Sequence, residues 1–301
     1  MKILKPGELP LKKKTAIAIG LFDGVHIGHQ ALIHELMHHK NKLVYTFDNK
    51  PKTYKNIYTG KEKRQILADM GMDYYYSQNF TEEFAGQSPE DFIAYLKEMF
   101  CPTHITVGFD FRFGKNAQGD IHTLNHFSAK YEYHLSVIGE IMMGGEKVSS
   151  TRIRELIFRG DVEEAMRLLG RCYFIEGAVE KGKNLGSKIG FPTANISTGK
   201  ILPAYGVYAT VVNIGGRHFN GVTNVGIRPT VSDEHGPNIE TYIMDFDENA
   251  YGQKMRVNFI KMLRPEKKFM SIKALMEQIN EDKHCAEKVL AENTVYKKWV
   301  M

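Results

Sequence analysis

Two hydrophobic rhythms divide the chain. Residues 15–20 (TAIAIG) form a short apolar run closed by glycine, the pattern of a strand buried on both faces. Across residues 25–40, apolar side chains recur at Ile27, Ala31, Leu32 and Leu36, the spacing of one helix face. Asp23 and Gly24 precede them as start signals. Residues 42–47 and 105–107 again have the texture of strands, and 61–70 and 89–99 that of helices. Strand and helix in alternation predict parallel crossovers and a doubly wound α/β sheet, a Rossmann-like first half.

From about residue 172 the rhythm changes. Strand-like runs at 172–180, 207–214, 222–225, 240–246 and 255–263 follow one another through Gly- and Asn-containing turns. This predicts an antiparallel β-barrel or sandwich. An amphipathic stretch at 271–290 (Ile272, Leu275, Met276, Ile279) predicts a closing helix, and the capped segment 160–170 reads as the connection. The expected division is residues 1–167 and 168–301.

Composition narrows the function. Of 301 residues, 43% are hydrophobic and 25% charged, which is the globular range. No apolar run is long enough for a membrane span, and the Lys-rich start lacks the apolar core of a signal peptide. Three scattered cysteines have neither metal-ligand spacing nor an even count, so a reducing cytoplasm is expected. A net charge of +5 suits small polyanions such as ATP and gives no basic stripe for nucleic acid. Oligomeric state is not legible.

The first candidate site lies where the first strand hands over to the first helix. The segment 20–29 (GLFDGVHIGH) places Gly20, Phe22, Asp23, Gly24 and Gly28 around two histidines, His26 and His29, spaced i, i+3 on one face. A helix N-terminus beside glycines that let a ligand approach favours phosphate. Two imidazoles aimed at one phosphate would stabilise charge without forming a bond to it. Ser150, Thr151 and Arg154, within VSSTRIRE, add hydroxyls and a guanidinium at another helix start.

The H-x-G-H and S-S-T-x-I-R elements, with GFDFRFG at 108–114, resemble the N-terminal domain of prokaryotic riboflavin kinase/FAD synthetases, a nucleotidyltransferase domain. That resemblance implies transfer of AMP from ATP to FMN with release of pyrophosphate. It implies ATP-phosphate contacts for His26 and His29, and nucleotide contacts for Ser150, Thr151, Arg154 and Asp110. Phe109, Phe111 and Phe113 become candidates for the flavin, although their alternation equally fits the core face of a strand. The literal H-I-G-H also occurs in class I aminoacyl-tRNA synthetases. Their K-M-S-K-S loop has no counterpart here, the nearest string being KFMSIK at 268–273.

A second site is signalled by GKNLGSKIGFPTAN at 182–195. Gly182, Gly186 and Gly190 recur every four residues, giving a pliant loop whose backbone donors reach phosphates. Thr193 and Asn195 project to one side of an extended segment and offer hard oxygen ligands for Mg²⁺ bound with ATP. In NIETYIMDF (238–246), alternation puts Glu240 on one face with Tyr242, Met244 and Phe246. A carboxylate on such a face is costly without a partner or a task. Together with LRPEKKF at 263–269, these segments resemble the riboflavin kinase domain, a six-stranded antiparallel barrel with a C-terminal helix. The resemblance implies that Thr193 and Asn195 hold Mg²⁺-ATP and that Glu240 deprotonates the ribityl hydroxyl.

The small molecules expected are riboflavin, FMN, FAD and ATP, the flavins being substrates and products. A kinase with a regulatory first half, or a non-catalytic flavin sensor, are the alternatives. One departure from the family pattern stands out. Where T-F-x-P-H-P is usual, this chain has Thr46-Phe47-Asp48-Asn49-Lys50-Pro51, losing a proline and a histidine, and weaker FMN binding is the expectation.

Overall fold

In the computed structural model the described residues are 1–48, 55–181, 186, 189–226, 238–292 and 296–297; the Asn49–Pro51 departure and Gly182 lie outside them. The chain forms two compact units, Met1–Ser150 and Thr151–Met301.

The first unit is a six-stranded, all-parallel sheet. Its strands are β1 (Lys2–Ile3), β2 (Thr15–Ile19), β3 (Lys42–Asp48), β4 (Tyr74–Asn79), β5 (Pro102–Gly108) and β6 (His134–Ile138), in the order β1-β4-β3-β2-β5-β6. β2 is central and every one of its residues is buried, as the unbroken apolar run anticipates. The helices are α1 (Ile27–Glu35), α2 (Gly60–Asp69), α3 (Glu82–Ala85), α4 (Pro89–Phe100) and α5 (Ile121–Tyr131). α1 is shorter than the 25–40 periodicity suggests, because its last intrahelical bonds end at Leu36. Local chemistry fixes the other starts. Thr59 with Glu62 and Ser88 with Asp91 form capping boxes, and Pro89 occupies the first turn of α4. Phe92, Leu96 and Phe100 of α4 and Leu124 of α5 pack on Ile17, Ile19, Tyr45, Ile105 and Val107. α1 lies against β5 and β6.

A short hairpin, β7 (Met142–Met143) and β8 (Glu146–Lys147), leads to α6 (Ser150–Arg159) and α7 (Val162–Leu169). The second unit is a six-stranded antiparallel sheet. It comprises β9 (Tyr173–Ala178), β10 (Thr193–Ile196), β11 (Gly206–Ile214), β12 (Arg217–Gly226), β13 (Asn238–Ile243) and β14 (Lys254–Pro265), in the order β10-β13-β12-β11-β14-β9. The sheet curls until its edges meet at one bridge, where the Glu180 amide donates to the Asn195 carbonyl. Inside the curl, Thr210, Thr223 and Thr241 link hydroxyl to hydroxyl at 2.9 Å, so these buried polar groups satisfy one another. Outside it, α8 (Ile272–Glu292) covers β11, β12 and β14, burying Ala286 and Leu290 against Ala209, Val211 and Val222. α7 packs on β9 and β14. Arg264 of β14 makes a two-pronged ion pair with the buried Asp282 of α8, at 2.8 and 2.7 Å.

His104 on β5 is buried between His39, at 4.5 Å between ring centroids, and the stacked ring of His134 at 5.0 Å. Burial first, and then the charges of those two imidazoles, hold its pKa below the ordinary imidazole range, Glu35 opposing weakly. A histidine more acidic in the folded than in the unfolded chain leaves stability intact above its unfolded pKa. Stability is then lost as pH falls through and below that value, because the unfolded state takes up the proton more readily. The thermal midpoint of the first unit is therefore expected to drop between about pH 7 and pH 5. His104→Phe, which keeps the ring packing, should flatten that drop in a pH series of thermal melts.

Candidate functional sites

In the first unit the chain leaves β2 through a turn held in an unusual backbone state. Phe22, Gly24 and Val25 have φ of 51, 81 and 42°. For a β-branched residue such as Val25 that conformation is strained and persists where its surroundings impose it. The Phe22 and Val25 side chains are fully buried. An Asp23 carboxylate oxygen accepts the Ile57 amide at 3.1 Å, and the Asp23 carbonyl accepts the Ser150 hydroxyl at 2.8 Å. Gln30 reaches back to the Val25 carbonyl at 2.9 Å. Lys63 of α2 donates to the Leu21 carbonyl at 3.3 Å.

The turn delivers His26 as the N-cap of α1, its Nδ1 accepting the His29 amide at 3.3 Å. An accepting Nδ1 puts the proton of a neutral ring on Nε2, the donor an anion would use. The two imidazoles stack with centroids 3.7 Å apart. Gly28 makes room for this, since a Cβ there would stand 3.1 Å from His26 Nδ1. Gly20 closes β2 against the ring of Phe22. These groups lie at the C-terminal end of β2, where the strand order turns from β3 on one side to β5 on the other. A parallel sheet opens its ligand crevice at such a reversal.

The aromatic triplet divides. β5 stops at Gly108, so the three phenylalanines are not one strand face. Phe113 is buried against Phe92, with Phe111 stacked on it at 5.5 Å. Phe109 and Asp110 stand exposed in a turn, where Lys147 of β8 pairs with Asp110 at 2.9 Å and lies 4.5 Å over the Phe109 ring. Among the second-helix candidates, Ser150 joins the Asp23 turn. Thr151 and Arg154 follow on α6 within the second unit, Thr151 exposed and Arg154 buried.

In the second unit the register of three strands builds the other site. Asn195 of β10 pairs with Glu240 of β13, which pairs with Asn224 of β12, and facing residues of paired strands share a side. Thr193 stands one step along from Asn195 and donates its hydroxyl to Glu240 Oε1 at 2.5 Å. Glu240 and Tyr242 do share a face, with Ile239, Thr241 and Ile243 buried on the other. The expected face continues to Met244, which packs in one cluster with Tyr242 and Val222, but not to Phe246, because Asp245 turns the chain with φ 54°. Met244 goes into the core beneath α8, while Phe246 packs on Phe219. In the preceding loop the Gly186 carbonyl accepts the Ile189 and Phe191 amides. A Cβ on Gly186 would stand 2.3 Å from the Phe191 carbonyl oxygen, and Gly190 has φ 86°, so both positions require glycine.

Family models of FAD synthetase and of riboflavin kinase match residues 9–152 and 169–290 respectively. A Bacillus subtilis protein named bifunctional riboflavin kinase/FMN adenylyltransferase is 36% identical over 90% of each chain. A Listeria monocytogenes protein of that name is 33% identical over 88% of this chain and 89% of its own. The chain belongs to the bifunctional riboflavin kinase/FMN adenylyltransferase family. A solved structure described as a macrolide-efflux protein from Streptococcus pneumoniae superposes with a TM-score of 0.85 at 28% identity, covering 93% of this chain and 96% of that one. Among the described residues no helix is long and apolar enough to cross a membrane.

Sequence reasoning missed one feature of this riboflavin kinase/FMN adenylyltransferase chain. A cavity of 260 Å³ opens beside Thr193, lined by Val179, Pro192, Phe246, Asn249 and Tyr251. The aromatics at 246 and 251 hint at it, but the loop after β13 must fold back before they meet Thr193. In the first site, Gly28 gives a direct test. Gly28→Ala should raise helix stability by roughly 0.5–1 kcal/mol while displacing the His26 ring. Anion binding or turnover at the first unit should then fall about 10-fold or more, with the thermal midpoint unchanged or higher.

Proposed function

We propose that the second unit transfers the γ-phosphate of ATP to riboflavin, giving FMN, and that the first joins AMP from ATP to FMN, giving FAD and pyrophosphate. The functional halves are taken as residues 1–167 and 168–301, as read from the sequence. The observation that carries the reading is the 2.5 Å hydrogen bond from Thr193 to Glu240, with Asn195 in register beside it.

Thr193 and Asn195 present neutral oxygens, the donor type Mg²⁺ takes, and Thr193's proton is committed to Glu240, which leaves its lone pairs for a cation. Bound with ATP, Mg²⁺ would neutralise charge on the transferring phosphate. Glu240 is the base: it takes the proton of the ribityl primary hydroxyl as that oxygen attacks the γ-phosphorus and ADP leaves. Gly182, Gly186 and Gly190 are assigned to the phosphates from their spacing in the sequence. The cavity lined by Phe246, Asn249 and Tyr251 suits the nucleoside, with aromatic surface for a base and an amide for its edge.

In the first unit, the N-terminus of α1 and the His26 and His29 imidazoles carry the phosphates of ATP. An FMN phosphate oxygen attacks the α-phosphorus and pyrophosphate leaves, the imidazoles stabilising the charge that develops. Gly20, Phe22, Asp23 and Gly24 shape the turn; nucleotide contacts for Ser150, Thr151, Arg154 and Asp110 are assigned from their motifs in the sequence. Exposed Phe109 is the best placed of the three phenylalanines to meet a flavin. A reducing cytoplasm is the compartment proposed, from the scattered spacing of three cysteines in the sequence.

Chromatography of flavins after incubation with riboflavin, ATP and Mg²⁺ should show FMN and then FAD. FMN without FAD would favour a kinase with a regulatory first half, and neither product would leave a flavin sensor. Glu240→Gln should lower FMN formation about 100-fold or more and spare FAD formation from supplied FMN; full kinase activity would remove Glu240 from the base role. Conversely, replacing His26 and His29 together with Ala should lower FAD formation by about 100-fold or more and leave riboflavin phosphorylation intact.

A further inference from the structure

The row that carries Glu240 continues on the side away from Asn195. Asn224 of β12 stands opposite Glu240, half-buried, and Val207 of β11 follows it in the same row. Two residues beyond Asn224, on the same face, comes Gly226. A Cβ at that position would fall 2.3 Å from Oε1 of Glu266 and 3.3 Å from Nδ2 of Asn224. The missing side chain therefore lets Glu266, which follows β14, lay its carboxylate on the sheet beside the Asn224 amide. Asn238 faces Gly226 in the next row.

Glu240 thus has two unlike flanks. One holds Thr193 and Asn195, whose oxygens suit a metal-bound phosphate. The other holds an amide and a second carboxylate, with no cation among the groups just named. A carboxylate repels phosphate, so this flank is wrong for ATP. It is right for hydroxyls, because Glu266 accepts their protons and Asn224 both accepts and donates. Facing positions on paired strands lie about 5 Å apart, the separation of hydroxyls a few carbons apart on an extended polyol.

We infer that Asn224 and Glu266 bind the polyol chain of the acceptor, with Gly226 as the clearance that admits Glu266, and so select a polyhydroxylated substrate. This rests on the kinase reading of Glu240 and adds the acceptor side to it. Glu240 then sits between the two substrates, with the terminal hydroxyl reaching it from the Asn224 flank.

The test compares riboflavin with the same isoalloxazine carrying a 5-hydroxypentyl chain, which keeps the reacting hydroxyl and lacks the other three. The intact protein should prefer riboflavin in kcat/KM by about 100-fold or more, since a site built to hydrogen-bond hydroxyls rejects their absence strongly. Asn224→Ala and Glu266→Gln should each lower kcat/KM for riboflavin about 10-fold, chiefly through KM. Both should leave the hydroxypentyl analogue and the KM for ATP within about two-fold, so that the preference shrinks. Gly226→Ala should act like Glu266→Gln. FAD formation from supplied FMN, measured on the same samples, should stay unchanged, and retained turnover of the hydroxypentyl analogue shows that the barrel is folded. Equal losses for both flavins, a rise in the KM for ATP instead, or an unchanged preference would overturn the inference. Failure of the intact protein to phosphorylate either flavin would overturn the kinase reading and the inference with it.

Discussion

The pairing register of β10 on β13 on β12 sets what the second half of the molecule does. It brings Thr193 within 2.5 Å of Glu240 and aligns Asn195, Glu240 and Asn224 in one row. Side chains alternate across a strand, so a slip of one residue would send Glu240 into the interior and bring Ile239 and Thr241 out. The register is held from the buried side. Thr210, Thr223 and Thr241 join hydroxyls there across three strands, and a shifted pairing would leave them unsatisfied in a buried space. Polar groups inside the curl therefore fix the position of polar groups outside it.

The first half reaches a comparable end by other means. Its two histidines are placed by a turn in which Phe22 and Val25 adopt positive φ. Such a turn is kept because its surroundings allow nothing else: two fully buried side chains, the Asp23 link to Ile57, and the Ser150 hydroxyl on the Asp23 carbonyl. One site is a ladder whose precision comes from repeated pairing. The other is a single strained corner at the reversal of a parallel sheet, the place proposed for the phosphates of ATP.

Much of this was legible in the sequence because the relevant signals are local. The apolar run of β2, the periodicity of α1 and the spacing of His26, Gly28 and His29 all lie within two dozen residues. The alternation in β13 likewise gave the face of Glu240. What escaped notice depends on chain reversal. Phe109, Phe111 and Phe113 alternate like a strand, yet the chain turns after Gly108 and sends Phe113 inward and Phe109 out. Phe246 continues the alternation of Glu240, Tyr242 and Met244 on paper, but Asp245 breaks it. Asn224 carries no motif, and its importance emerges when β12 is laid beside β13. The strands β1, β4 and β6 were missed: β1 has two residues, and β4 (YYYSQN) and β6 (HLSVI) mix polar with apolar positions and lack the unbroken apolar run of β2.

The central claim is that one chain performs two different transfers from ATP, of the γ-phosphate in one half and of the α-phosphate with its nucleoside in the other. The most direct measurement follows isotope from ATP into the flavins, using riboflavin as the starting material. With label in the γ-phosphate, FMN should become labelled first and FAD after it. With label in the α-phosphate, FAD alone among the flavins should carry it, with FMN remaining unlabelled. An α-label that never enters a flavin, or a γ-label absent from FMN, would contradict the account.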